Sequence, residues 1–199
     1  MKTRDKMKTR DKILGVALEL FNAEGVGGQS AVDIASAMGI SAGHLYYHFK
    51  GKPEILAELM AAHRGEIDLV CEAMREAARG QPNLETLWTH VHILVEETWD
   101  ARFFWRETAL AQDHEDLAQH ARHILVSIRQ AAAEMLAALA KAKAIKASAE
   151  TRDGLSRQIA TGVAFHVQTL ELEGPSEPPR ELIARAAAQI MIPVAGLAS

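Results

Sequence analysis

The sequence has little of what defines secreted, membrane-bound or β-rich proteins. It contains one cysteine, Cys71, so no internal disulfide can form. No apolar run approaches the roughly 20 residues that a membrane-spanning helix needs. The N-terminus MKTRDKMKTRDK is charged and lacks the apolar core of a secretion signal, and no useful length of alternating strand pattern occurs. We therefore expect an all-α cytoplasmic protein that binds no membrane.

The net charge of −4 is unevenly distributed along the chain. Residues 1–52 contain eight Lys and Arg against five Asp and Glu, which gives +3 and leaves −7 for the remainder. A basic segment followed by an acidic one indicates that only the first part meets phosphate. We expect a basic head over residues 1–52, with residues 1–8 disordered, and a helical body over residues 53–199.

Apolar residues recur at helical spacing through most of the chain. The first helix is predicted to begin after Thr9 as its N-cap and to end near Glu24, and a long fourth helix to run from Pro53 to about Arg79. Five more helices are predicted over residues 83–98, 100–111, 115–143, 151–172 and 179–196, with Asn83, Asp100, Asp113 and Thr151 as N-caps. The tandem copy of MKTRDK is too short for a repeat unit, and we interpret it as an alternative start or a cloning remnant.

Two short helices joined by a tight turn are predicted between residues 30 and 49. Ser30 and Asp33 match a capping box, Gly39 ends the second helix, and Ser41 caps the third. In a helix-turn-helix, the second of two such helices presents polar residues to the major groove of DNA. The predicted DNA-binding residues are small, polar or basic: Ser30, Ser41, Ala42, Gly43, His44, Tyr46, Tyr47, His48, Lys50 and Lys52.

The sequence GISAGHLYYHFKGK of residues 39–52 is the most distinctive part of the chain. Together with the helix before it, over about residues 9–57, it resembles the DNA-binding head of TetR-type transcriptional regulators. A weaker likeness lies at residues 102–106, RFFWR, which resembles an aromatic block found in a subgroup of that family. The resemblance implies an N-terminal three-helix head and a helical-bundle body for ligand binding and dimerisation.

The same resemblance implies a role for each matched residue. Tyr46 would hold phosphate, Tyr47 and His48 would pack on backbone or bases, and Lys52 would anchor phosphate at the start of the fourth helix. Two heads of a homodimer would enter successive major grooves. His44 departs from the commoner Thr or Asn, so the operator sequence does not follow from the family.

Aromatic residues make up only 5% of the chain, yet all three tryptophans lie within residues 88–105. Two interpretations stay open, an ordinary bundle core and an apolar cavity with a few polar groups. The candidate ligand-binding residues are Trp88, His92, Trp99, Phe103, Phe104 and His166. A homodimer is expected to use two apolar stripes, one at Leu155, Ile159, Val163, His166 and Leu170 and one at Ile183, Ala187, Ile190, Met191 and Val194, with packing inside one chain as the alternative.

Nine histidines raise the question of a metal, and His120 and His123 could share a helix face near His114. Without a CxxC or HExxH pattern this signal is weak, and we expect no metal and no cofactor. An enzyme that pairs Cys71 with a histidine such as His92 is a further rival. A buried, inert Cys71 fits its apolar neighbours better, so we expect no catalytic residue.

These patterns predict a sequence-specific transcriptional regulator rather than an enzyme. Its expected partners are double-stranded DNA with a palindromic operator, a small and largely apolar effector that releases a repressor, and a second copy of the chain. A transcriptional activator, or a helical protein-interaction module without an effector, stays an alternative. The residues do not identify the operator, the effector or the regulated genes.

Overall fold

The computed structural model describes residues 2–110, 115–174 and 178–198, and its regular secondary structure there is helical. In chain order the described helices are α1 (Lys2–Glu24), α2 (Ala31–Ala37), α3 (Ala42–His48), α4 (Lys52–Arg79), α5 (Leu84–Asp100), α6 (Arg102–Leu110), α7 (Glu115–Lys141), α8 (Ala149–Glu173) and α9 (Pro179–Ala195). An isolated antiparallel bridge joins Ile145 to Ala198. The expected all-α fold is confirmed.

The first helix begins at Lys2 rather than after Thr9, so a helix stands where disorder was expected for residues 2–8. Lys, Arg and Met favour helix, and neither Gly nor Pro interrupts the duplicated segment. The helix ends as predicted at Glu24. Gly25 follows in the left-handed conformation, with φ of 81°, and its N–H donates to the Phe21 carbonyl at 3.0 Å.

The body helices lie within two residues of their predicted bounds, but only one of the predicted caps is confirmed. Asn83 caps α5, because its side-chain oxygen accepts from Thr86 N at 2.8 Å. Thr151 is wrong as a cap, since Ser148 Oγ accepts from Thr151 N at 3.0 Å and α8 already begins at Ala149. Asp100 is also wrong, because it is the last residue of α5. Asp113 lies outside the described residues.

Helices α4 and α7 run side by side in the same direction. His123 contacts Asp68 at 2.9 Å, and Arg75 lies 3.6 Å from Glu134, so residue numbers rise together along both helices. Because α4 starts at the end of the head, both helices lead away from it. The α7 helix is long and apolar enough to cross a membrane by length and composition alone, but one face of it is buried in the bundle, with Ile124, Ile128, Met135, Leu136 and Leu139.

The two stripes expected to form a dimer interface are buried inside the single chain. Eight of the ten stripe residues are at most 7% exposed in the single chain, so they pack within it and cannot contact a second copy: Leu155, Ile159, Val163, Ile183, Ala187, Ile190, Met191 and Val194. Helices α8 and α9 turn these faces towards each other and towards α5 and α7. His166 is half-buried, and the side chain of Leu170 lies outside the described part of the chain.

Candidate nucleic-acid interface

The second and third helices are both capped by serine and are joined by a tight turn at Gly39. Ser30 and Asp33 make the predicted capping box at the start of α2, and Ser41 Oγ accepts from His44 N at 3.2 Å at the start of α3. Between them Gly39 adopts a φ of 65°, a conformation that favours glycine. Leu45 is fully buried against the rest of the head, so the opposite side of α3 faces outward.

Most of the predicted DNA-contacting residues share this outward surface. Tyr47 is 69% exposed and Tyr46 is 50% exposed, although tyrosine usually buries its ring. Ser30, Ser41, Gly43, His44 and Lys50 are also exposed, and Ala42 is half-buried. This surface offers two phenol hydroxyls, an exposed imidazole and a glycine at which another backbone can approach closely.

Two of the predicted contact residues are engaged inside the protein. His48 is only 8% exposed, because its ring lies 5.5 Å from the His44 ring and meets the Tyr47 ring edge-on at 5.3 Å. It supports the exposed rings from behind rather than lying on the surface with them. Lys52 Nζ donates to the Val26 carbonyl at 2.9 Å, which ties the start of α4 to the loop before α2. In this conformation Lys52 therefore stabilises the head instead of reaching outward.

Arg10 is a supporting residue that the sequence patterns did not single out. Its guanidinium donates to both carboxylate oxygens of Glu58 on α4 and, at 2.5 Å, to the His48 carbonyl at the end of α3. It also lies 4.0 Å from the centre of the Phe49 ring. One planar side chain on α1 thus fixes α3 against α4, and the sequence offered no signal beyond a positive charge in a helix.

Three consecutive aromatic residues of α6 belong to the core of the body. Phe103 and Phe104, two of the predicted ligand-binding residues, are at most 1% exposed, as is their neighbour Trp105, and all three pack in the core. Trp105 Nε1 donates to His63 Nε2 of α4 at 3.2 Å. Burial lowers the pKa of His63 to about 4, so the imidazole is neutral and accepts this hydrogen bond.

The other four predicted ligand residues lie at two separate grooves. His92 and Trp99 line a groove of about 480 Å³ between α5 and the start of α9, and Trp88 stacks on His92 with ring centres 5.0 Å apart. The full lining is His92, Glu96, Trp99, Asp100, Pro179, Arg180 and Ile183. His166 lies instead in an open groove between α8 and α9. Among the pockets lined by described residues, the predicted ligand residues are therefore divided between two grooves.

The α5–α9 groove is more polar than expected. Partial burial and the charge of Glu96 raise the pKa of the Asp100 carboxyl. Arg180 lies on the opposite wall of the same groove. A molecule with an apolar body and polar or charged groups suits this lining better than a purely apolar one.

The enzyme and metal interpretations rest on Cys71 and on a cluster of histidines. Cys71 is fully buried, and burial raises the pKa of its thiol to about 11, which disfavours the nucleophilic thiolate. His123 hydrogen-bonds to Asp68, and within the described ranges no group of three His, Cys, Asp or Glu side chains could hold a metal ion. His114 lies outside the described residues.

Comparison with known proteins identifies families over nearly the whole chain. Residues 13–59 match the model for bacterial regulatory proteins of the tetR family, and residues 68–198 match the model for a bacterial transcriptional repressor of the TetR type. A TetR-family transcriptional regulator from Marinobacter aquaeolei has a similar structure, with a TM-score of 0.67 and 28% identity over 92% of this chain and 98% of that one.

Two relatives are similar in the head region. The transcriptional regulator AcrR of Shigella flexneri is 38% identical over 73 residues, which are 35% of this chain and 34% of the relative. QacR of Staphylococcus aureus is 43% identical over 54 residues, 27% of this chain and 29% of the relative. The chain thus matches about a third of the length of these proteins, and they are regulators rather than enzymes. With a helix-turn-helix head and a matching body, the chain belongs to the TetR family of bacterial transcriptional regulators.

Proposed function

We propose that this chain is a homodimeric repressor that binds a palindromic operator through its head and releases it when a small molecule occupies the body. The observation that carries DNA binding is the outward surface of α3, with Tyr46, Tyr47 and His44 exposed while Leu45 and Arg10 fix the helix from behind. A repressor of this kind acts in the bacterial cytoplasm, where the chromosome lies.

The division of labour on this surface follows from the chemistry of its groups. His44 is exposed one turn into α3, near its N-terminal end, and its ring can donate to or accept from a base edge. Tyr46 and Lys50 suit phosphate, and the N-terminal amides of α2 and α3 beside Ser30 and Ser41 add dipoles that favour an anion. The small residues Ala42 and Gly43 leave room for a base to approach.

Repression rather than activation is supported by the match of residues 68–198 to a bacterial transcriptional repressor. The effector would enter the α5–α9 groove, whose volume lies in the range of small-molecule sites. Its lining favours an amphipathic molecule, because Trp99 and Ile183 offer apolar contact while Asp100 and Arg180 offer charge.

Selection of bound duplexes from a random pool would test this function. We expect the wild-type chain to enrich an inverted repeat, His44→Ala to enrich a different base at one position of each half-site, and Lys50→Ala to keep the sequence but weaken binding. Loss of one phosphate contact should also reduce the slope of log affinity against log salt by about one unit. As a matched control, Lys141→Ala removes the same charge from the end of α7 and should leave both properties unchanged. Failure of the wild type to enrich any sequence at low salt would overturn the proposal.

A further inference from the structure

Asn22 in the last turn of α1 is a buried polar residue, 7% exposed, that joins the head to the body. Its Nδ2 donates to the Asp100 carbonyl at 2.6 Å, and its Oδ1 accepts from Phe103 N at 2.9 Å. Arg106 Nη2 completes the contact by donating to the Asn22 carbonyl at 2.9 Å. Three hydrogen bonds thus connect one turn of the head to the junction of α5 and α6.

The carboxamide of Asn22 serves two helix ends at once. The Asp100 carbonyl lies at the end of α5 and Phe103 N lies in the first turn of α6, positions that lack partners within their own helices. An amide side chain supplies a donor and an acceptor together, which no carboxylate can do while ionised. The residue therefore orients α1 relative to both body helices.

The α6 helix is held on its other side by α4, through the hydrogen bond from Trp105 to His63. Displacement of the α5–α6 junction would consequently reach the head by two routes, one through α4 and one through Asn22. The second route begins beside the α5–α9 groove, because Trp99 and Asp100 line that groove and Asn22 binds the Asp100 carbonyl.

We propose that Asn22 is a positioning residue that sets the orientation of the head on the body and transmits movement of the α5–α6 junction to α1. Arg10, on the same helix, passes the movement to α3 through the His48 carbonyl. The regulatory part of this inference rests on the proposed function, whereas the positioning part concerns the free protein alone.

The head–body distance can be measured without DNA or effector. Spin labels on Ser36→Cys in α2 and Gln130→Cys in α7 report it, since both positions are exposed and the native Cys71 is buried beyond the reach of the label. Labelled chains are diluted with unlabelled ones so that distances within one chain dominate. We expect Asn22→Ala to broaden the distance distribution at least twofold and to weaken operator binding about tenfold.

Asn83→Ala is the matched control, because it also removes an asparagine that binds a helix end, but within the body alone. It should lower the melting temperature and leave the distance distribution unchanged. Asn22→Asp preserves the size of the side chain and guards against misfolding of the alanine variant. Its ionised carboxylate can still accept from Phe103 N but cannot donate to the Asp100 carbonyl, so the distribution should be broad at pH 8.

An Asn22→Ala distribution that superimposes on the wild type, or an Asn22→Asp distribution that is narrow at pH 8, would overturn the positioning role. If the wild type binds no operator while Asn22→Ala still broadens the distribution, the proposed function fails and the positioning role stands. If the distribution broadens but operator binding by Asn22→Ala equals that of the wild type, the transmission to the recognition helix is overturned.

Discussion

His63 links the helix that leaves the head to the aromatic core of the body. It is 5% exposed, accepts from Trp105 at 3.2 Å and lies 5.6 Å from the Phe104 ring centre. A charged imidazolium here would lose both its water and its hydrogen bond, since the ring nitrogen that accepts would have to donate. Neutral His63 is therefore a condition for the α4–α6 contact.

The stability of the protein should depend on pH through His63. Its pKa is lowered to about 4 in the folded protein from 6.5 in an unfolded chain, so the native state binds fewer protons between these values. The free energy of unfolding is therefore highest above pH 6.5. It falls as the pH drops towards and below 4, in total by about 3 kcal/mol. Urea titrations at several pH values should show this loss in the wild type and a flatter profile in His63→Gln, whose amide oxygen still accepts from Trp105. Parallel profiles would contradict the assignment.

Within helix α8, two glycines, Gly154 and Gly162, differ in what surrounds them. This packing decides whether alanine at each position stabilises or destabilises the protein. A Cβ at Gly162 would lie 2.8 Å from Ile190 Cγ1 of α9, whereas a Cβ at Gly154 would meet nothing within 4 Å. The close approach of α8 and α9 therefore depends on Gly162 and not on Gly154.

We expect opposite signs for alanine at these two positions. Gly154→Ala should stabilise the chain by up to about 1 kcal/mol, because alanine favours helix more than glycine does. Gly162→Ala should destabilise it by about 1–3 kcal/mol through overpacking. Thermal unfolding of both variants checks the difference, and Ile190→Ala, which removes Cγ1, should cost less in the Gly162→Ala background than in the wild type. Equal stabilisation by both alanines would show that α8 and α9 are not packed this closely.

At the scale of the whole molecule, the outer sides of α8 and α9 are available for a second copy. Their inner stripes are used within the chain, but Ile192 is 65% exposed, although it is a large apolar residue. Thr161 and Phe165 line the open groove between the two helices, and Gln189 lies one turn before Ile192 on the same side of α9. We infer that the proposed homodimer forms through this surface.

Ile192→Glu should weaken the dimer at least 100-fold, because each copy would place a charged carboxylate in the interface where an apolar side chain packs in the wild type. The monomer should remain folded, since position 192 is exposed within the chain. Sedimentation equilibrium measures the effect, and Val126→Glu on the exposed side of α7 is the matched control that should stay dimeric. A dimeric Ile192→Glu would place the interface elsewhere.

Local signals accounted for most of the head and for the helix bounds. Ser30 and Ser41 were predicted as caps because capping involves residues three positions apart, and the structure has both contacts. The burial of His48 could not be predicted in this way, because it depends on rings and backbone brought together by the fold. The positions of the predicted ligand residues, some in the core and others at two grooves, could not be predicted for the same reason, because they depend on how distant helices pack.

By itself, the sequence determined that the chain is helical, where nearly every helix ends, and that residues 30–49 form a helix-turn-helix, since these properties arise from neighbours within about one turn. Only the tertiary structure decided which buried polar groups join the parts. Arg10 meets Glu58 across 48 positions, and Asn22 meets Asp100 across 78. Such pairs leave no periodic trace in a sequence, because their geometry exists only once the hydrophobic core has brought distant helices together.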